Sequence, residues 1–388
     1  MRLLIIAAGY KPSWVYGGPT ISISSLAEAL STEGVDVTVM TTNANGKNDF
    51  SYPNGHQVVI DGVQVQYYRR WIGDPVSVSP LHTWALIKSI RQYDVVHING
   101  WWNWVAMMAL IICKITGTPH VLTTRGALSE YTFQTRRTSL VKKVMHQLFF
   151  KRMLCHTLLH VTTDEEAQRF RRALPGAKVV VLPNIIHLYS PAQRNTVNND
   201  WLRLVFLGRI DPVKHLELMI QALNGVKFPY QFTLIGDGKP EYVKSVLEMS
   251  VSPEKIQWVG AVYDERKYKL LCDADVLVLV SHSENFGNVV IEAMSQGTPV
   301  LLTRQVGLSS WVEENQMGWV IEQEVAACRE ALENIYAHRD QLDQMRTHVL
   351  SQVEQDFSTP KLVSRYIHEC YQQVYPGAKR IKPKMEVV

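Results

Sequence analysis

Residues 275–303 read DVLVLVSHSENFGNVVIEAMSQGTPVLLT, and the change of rhythm inside this stretch decides the fold class. Val276 to Val280 form a continuous apolar run of strand length, the pattern of a strand buried on both faces. HSENFG follows as a polar, glycine-containing loop. NVVIEAMSQG then has helical length, with Asn288 as the expected N-cap. PVLLT returns to strand character. Strand, loop, helix and strand in succession imply an α/β unit with a parallel sheet.

The same alternation runs outward in both directions. Before it, LRLVFLG, YQFTLIGDG and IQWVG are strand candidates, separated by helical segments such as HLELMIQALNG and KPEYVKSVLEMS. After it comes GWVIE. The first half repeats the theme with LLIIAA, VDVTVMTT, DVVHING, PHVLTTRG, LLHVTT and KVVVLPN, and with helices such as ISISSLAEALSTEG. VVIDGVQVQYYRR reads as a hairpin about Asp61-Gly62. SPAQRNTVNND is polar and aperiodic, which suits a linker. We therefore expect two doubly wound, Rossmann-like domains, residues 1–190 and 201–360, joined by 191–200. Residues 361–388 supply a last helix expected to pack back across the hinge, and a loose basic tail. Open α/β sheets bind ligands outside the carboxyl ends of their strands. Two such domains facing each other would hold a ligand in the cleft between them.

Composition limits the classes. At 388 residues the chain is too long for one ordinary core, and 46% apolar with 20% charged content is that of a globular protein. A net charge of +4 does not imply nucleic acid. Cys113, Cys155, Cys272, Cys328 and Cys370 lack metal-finger or CxxC spacing, so free thiols in a reducing compartment are expected. MRLLIIAAGYKPSW reads as a buried first strand rather than a signal peptide. WWNWVAMMALIICKITG is interrupted by Lys114 too early to span a bilayer.

Several strand ends carry residues suited to binding. Gly17-Gly18-Pro19 opens a helix, where amides attract phosphate; a plain turn accounts for it equally. Arg209 and Lys214 follow LRLVFLG and suit a diphosphate, or are two solvated cations. Glu292 lies one turn inside an apolar helix and needs a hydrogen-bond donor: a sugar diol such as ribose, or a buried Arg or Lys. Glu284 sits in the preceding loop. The amides of Phe286, Gly287, Asn288 and Val289 suit an anion. GxxxxGK[ST] is absent, and GDGKPE lacks the third glycine of a dinucleotide fingerprint. Asp273 and Asp275 suggest a metal, but between helix and strand they suit capping and solvation; no metal site is assigned. His120, His146, His156 and His160 read as structural or exposed. Trp101-Trp102-Asn103-Trp104 is either a sugar platform or core.

Glu284 and Glu292, eight positions apart in SENFGNVVIEAMSQGTPV, resemble the signature of family 4 (GT4) of the retaining glycosyltransferases, which have the GT-B fold. The likeness extends to YGGPT, VVVLPN, GRIDPVKHLELMIQAL, WVGAV and CDADVLVLVS, and the bacterial polysaccharide members are the nearest in pattern. The resemblance implies a sugar transferred, with retention, from a nucleoside diphosphate sugar to a hydroxyl of a glycan or polyprenyl-linked glycan. Arg209 and Lys214 would bind the diphosphate and Glu292 the ribose. Glu284 and the 286–289 amides would hold the sugar and leaving phosphate, with Gly17 and Gly18 beside the donor and Val262 near the base. Glu284, Arg209 and Lys214 would be catalytic, and no cofactor is implied. Arg125, His97 and Trp101 would face the acceptor. The chain departs from the family at Arg125-Gly126, where His-Gly is frequent; at Asn99, in place of a second His; and at His215, where Gly often follows the lysine.

RRTSLVKKVMHQLFFKRMLC carries an apolar stripe (Leu140, Val141, Val144, Met145, Leu148) with Lys142, Lys143, Lys151 and Arg152. It reads as a helix on an anionic membrane or as an ordinary core-facing helix. The expected location is cytoplasmic, peripheral on the inner membrane face. A GT-B epimerase or phosphorylase, and a noncatalytic nucleotide-sugar-binding protein, are the alternatives.

Overall fold

The computed structural model describes residues 1–126, 151–195 and 200–380. The chain forms two compact units: Met1–His187 together with Thr359–Val388, and Leu188–Ser358.

The first unit contains β1 (Arg2–Ile6), β2 (Asp36–Thr42), β3 (His56–Ile60), β4 (Val63–Tyr68), β5 (Val95–Asn99), β6 (His120–Thr123), β7 (Leu158–Val161) and β8 (Lys178–Val181). They form one sheet in the order β3-β4-β2-β1-β5-β6-β7-β8. Every pairing is parallel except β3 with β4. Leu3, Leu4, Ile5 and Ile6 are all fully buried, so β1 is covered on both faces, as its unbroken apolar run implies. The β3–β4 hairpin turns at Asp61 and Gly62, whose φ values of 49° and 79° match the right-handed twist of the strands.

The second unit contains β9 (Leu202–Leu207), β10 (Tyr230–Ile235), β11 (Ile256–Gly260), β12 (Val276–Leu279), β13 (Val300–Thr303) and β14 (Gly318–Ile321). The order is β11-β10-β9-β12-β13-β14, all parallel. β12, the helix Asn288–Met294 and β13 are the unit expected from residues 275–303.

The stretch 191–200, expected as a free linker, is fastened to the second unit where it is described. Ala192 N donates to Gln296 Oε1 at 2.9 Å, and Asn195 N to Asp273 Oδ1 at 2.8 Å. Arg194 and Arg203 both bind Asp275, at 2.5 and 2.8 Å. Asp273 and Asp275, weighed above as metal ligands, thus satisfy polar groups of this segment. The chain from Thr359 belongs to the first unit. Tyr371 Oη lies 2.9 Å from His97 Nδ1, and Tyr366 Oη donates to the Pro183 carbonyl at 3.0 Å. Both tyrosines lie in a π-helical turn, Tyr366–Tyr371.

The five cysteines are free. No helix among the described residues is long and apolar enough to cross a membrane. Most of the basic segment around Leu140 to Met153, with Lys142, Lys143 and His146, lies outside the described residues. So do the side chains of Lys151 and Arg152 and the tail from residue 381 onward.

Candidate active site

In the second unit the loops after β9, β12 and β13 meet at the carboxyl edge of the sheet. After β9, Asp211 caps the short turn Pro212–Lys214, its Oδ1 accepting from Val213 N at 3.1 Å. After β12, His282 N donates to the Val213 carbonyl at 2.8 Å, joining that loop to the same turn. Glu284 is pinned through its backbone to the loop after β13: its N–H donates to the Gln305 carbonyl at 3.1 Å, and Gly307 N to its carbonyl at 2.9 Å. These attachments bring Lys214 Nζ onto Glu284 Oε2. The pair is partly buried, with side-chain exposures of 17% and 23%.

Gly287 has φ 92°, and a Cβ there would lie 3.2 Å from Val306 Cγ1 and 3.3 Å from Val290 Cγ2. Only glycine suits this position. The helix cap is therefore Gly287, not Asn288, and Asn288 is the first helical residue. The same need explains Gly236 of GDGKPE: a Cβ would sit 1.9 Å from the Gly208 carbonyl oxygen. That glycine serves the close approach of two strand-end loops.

Glu292 is buried and takes Lys267 as its partner, Nζ to Oε2 at 3.3 Å. The opposing cation, one of the two donors weighed for it, comes from the helix Glu265–Asp273. Burial first, and then the negative charge of Glu292, raise the Tyr268 phenol above its ordinary pKa. Arg209 is 70% exposed and pairs with Asp211, Nε to Oδ2 at 2.6 Å. The two cations expected as a pair are thus each compensated by a separate acid. The Val262 side chain is buried, whereas its neighbour Tyr263 is exposed. Phe286 is buried, with its ring centroid 6.3 Å from that of Phe357, leaving its backbone as the available part.

In the first unit Gly17 has φ 60° and immediately precedes the helix Gly18–Thr32. A Cβ there would meet nothing within 4 Å, so conformation rather than crowding selects glycine. Arg125 follows β6 with φ 54°. Its guanidinium donates to Asn184 Oδ1 (2.7 Å), Ser22 Oγ (2.9 Å) and Asn99 Oδ1 (2.9 and 3.2 Å). Four of its five N–H bonds are committed to neutral protein acceptors. Burial holds its pKa below the ordinary value.

Two expected acceptor contacts require correction. His97 is fully buried, its ring nitrogens 2.9 Å from Tyr371 Oη and 2.7 Å from Thr123 Oγ1. Trp101 is 1% exposed and belongs to the core with Val105 and Leu110. Neither presents a surface to an acceptor. The unbroken buried run in DVVHING hides the burial of His97, because a strand covered on both faces gives no inward–outward pattern. Lys267, Tyr263 and the ring contact of His215 with His282 also escaped the sequence reading; their partners lie 25 to 67 residues away.

Comparison with known proteins matches these features to one family. Residues 202–338 match the family described as "Glycosyl transferases group 1", and residues 16–189 match "Glycosyltransferase Family 4". A D-inositol 3-phosphate glycosyltransferase of Arthrobacter is 25% identical over 360 residues, covering 82% of each chain. Among solved structures, a sucrose-phosphate synthase of Thermosynechococcus elongatus superposes with a TM-score of 0.73 at 18% identity, covering 97% of this chain and 100% of its own. Anabaena HepE, solved with UDP and glucose, also gives 0.73, at 17% identity over 95% and 99%. The fold is GT-B. The chain belongs to the family 4, group 1 glycosyltransferases, and is a transferase enzyme.

Proposed function

We propose that the enzyme transfers a sugar, with retention, from a nucleoside diphosphate sugar to a hydroxyl of a glycan or polyprenyl-linked glycan. The setting we favour is bacterial exopolysaccharide, O-antigen or capsule synthesis. The observation that carries the donor reading is the Lys214–Glu284 pair at the carboxyl edge of the second sheet, with Glu292 buried behind it. HepE, a structural neighbour solved with UDP and glucose, supports a nucleotide-sugar donor.

In this reading the bond from the anomeric carbon to the β-phosphate oxygen breaks. The acceptor oxygen bonds to that carbon on the same face, and the acceptor proton passes to the departing phosphate. Lys214, joined by Arg209 and the backbone of Phe286 to Val289, stabilises the charge that grows on the leaving diphosphate. Glu284 holds hydroxyls of the transferred sugar. Glu292, paired with Lys267, accepts from the ribose, and Tyr263 covers the base. Because side chains supply the positive charge, EDTA is expected to leave turnover largely unchanged. Arg125 orders the acceptor side through Asn99 and Asn184.

A peripheral position on the inner face of the cytoplasmic membrane fits a second observation. Trp71, Ile72, Val76, Trp84 and Ile87 are exposed, and so are the cations Arg69, Lys88 and Arg91. Lys88 Nζ lies 3.5 Å from the centroid of the Trp84 ring. Exposed apolar and aromatic residues accompanied by cations suit an anionic bilayer. Flotation with neutral and anionic vesicles tests it: preference for anionic vesicles is expected, and equal recovery contradicts it.

The direct test of function is incubation with UDP-, GDP- and ADP-sugars and lipid extracts, with inositol phosphate as a competing acceptor. A glycosylated lipid or glycan with the donor's anomeric configuration is expected. Product on inositol phosphate alone, inversion, or donor conversion without acceptor would contradict the reading.

A further inference from the structure

Lys214 is followed by a residue in a conformation that side chains rarely adopt. His215 has φ 51° and ψ 43°, left-handed backbone that favours glycine. Its ring lies against that of His282, centroids 3.8 Å apart and planes 21° from parallel. His282 belongs to the loop that carries Glu284, and its N–H already bonds the Val213 carbonyl at 2.8 Å. The turn bearing Lys214 and the loop bearing Glu284 are therefore joined three times: by backbone, by the stacked rings and by the Lys214–Glu284 pair itself.

The orientation of His282 follows from its other neighbour. Gln323 Nε2 donates to the Val280 carbonyl at 3.2 Å, which leaves Oε1 as the acceptor for His282 Nδ1 at 2.9 Å. The proton of the neutral ring thus sits on Nδ1. On His215, burial and the facing His282 hold the pKa below its ordinary value, against the opposing pull of Glu217. The charged groups around the stack are Lys214 and Asp211 on the turn, Glu217 on the helix Leu216–Leu223, and Glu284 on the facing loop; Gln323 is neutral. Two facing imidazoles tolerate one added proton, as a cation over a ring, but repel with two.

We propose that the His215–His282 stack is a positioning device that sets Lys214 for the donor diphosphate and works only while at least one ring is neutral. The proposal rests on the donor role of Lys214 and adds two positioning residues to it.

The experiment measures affinity by calorimetry from pH 5 to 8 for whichever of UDP, GDP and ADP binds the wild-type protein best. His282→Ala and His215→Gly should each weaken binding about tenfold at pH 7.5. The glycine variant keeps the left-handed turn without strain, so a folding defect cannot account for its loss. His282→Phe retains a flat ring and should bind within about twofold of wild type. It should also lack the fall in affinity expected of wild type below about pH 6. Wild-type binding by both His282→Ala and His215→Gly, in conditions where Lys214→Ala loses binding, overturns the stack and leaves the donor site standing. A His282→Phe variant as weak as His282→Ala also overturns it, because the imidazole would then touch the ligand itself. Unimpaired binding by Lys214→Ala removes the donor site and the proposal together.

Discussion

The carboxyl edges of the two sheets carry different kinds of polar side chain. In the first unit, His97, Thr123, His160, Tyr366 and Tyr371 are buried and hydrogen-bonded to one another or to backbone carbonyls. Arg125 beside them is held by neutral oxygens. In the second unit the edge carries cation–carboxylate pairs: Lys214–Glu284 and Arg209–Asp211, with Lys267–Glu292 deeper. A closed neutral network meets its own hydrogen-bonding needs and orders the elements around it. A partly exposed charge pair can exchange a partner for a charged ligand at small net cost, since such pairs contribute little to folding. On the proposed function, the contrast fits structural work at the first edge and donor binding at the second.

The largest expected effect is on Lys214. Lys214→Ala should lower kcat about 100-fold, the scale of losing one preorganised group at developing charge. Steady-state kinetics with a thermal melt checks it; near-normal turnover in a folded variant would erase the contrast.

Acid should separate the two edges next. Burial holds the His160 imidazole down to about 3 and the His82 imidazole to about 4, and holds His97 well below the ordinary value. Below about pH 6.5 the unfolded chain takes up protons that these folded rings refuse. The unfolding free energy therefore falls as pH drops from about 6.5 toward the folded values, by about 1.4 kcal/mol per pH unit for each ring. All three belong to the first unit. Hydrogen exchange at descending pH should show its strands losing protection before β9 to β14; the reverse order would refute the neutral network's role.

Arg209→Ala should have a smaller effect, about tenfold on kcat/KM, because its side chain is largely exposed and already paired with Asp211. The smallest effect is expected at Trp101. Trp101→Phe should cost on the order of 1–3 kcal/mol of stability through lost core volume and leave the acceptor KM unchanged. A raised acceptor KM at intact stability would return Trp101 to the acceptor site.

The fold was legible because parallel strands covered on both faces leave unbroken apolar runs, as in LLIIAA and DVLVLVS, and because the helices between them keep their length. Lys214 and Glu284 were legible as residues just past strand ends, and Glu292 as a carboxylate inside the apolar helix that follows. Their partners were not: Lys267 reaches Glu292 from another helix, and His215 meets His282 only after β9 and β12 become neighbours. The cap was placed at Asn288 and not at Gly287 because part of the crowding that bars a side chain at Gly287 comes from Val306, distant in sequence. The attachment of 191–195 to the second unit was not legible because polar composition looks the same whether its groups meet water or, as here, Asp273 and Asp275.

The central claim is that Glu292 serves the nucleoside and Glu284 the sugar in transit. The most direct measurement is calorimetry of the nucleoside diphosphate with Glu292→Gln and Glu284→Gln, beside their kinetics. The account predicts that Glu292→Gln loses affinity and raises the donor KM more than it lowers kcat, whereas Glu284→Gln binds the nucleotide and loses kcat. The opposite pattern would reverse the two roles, and unchanged binding and rate in both folded variants would reduce Glu292 to the structural partner of Lys267.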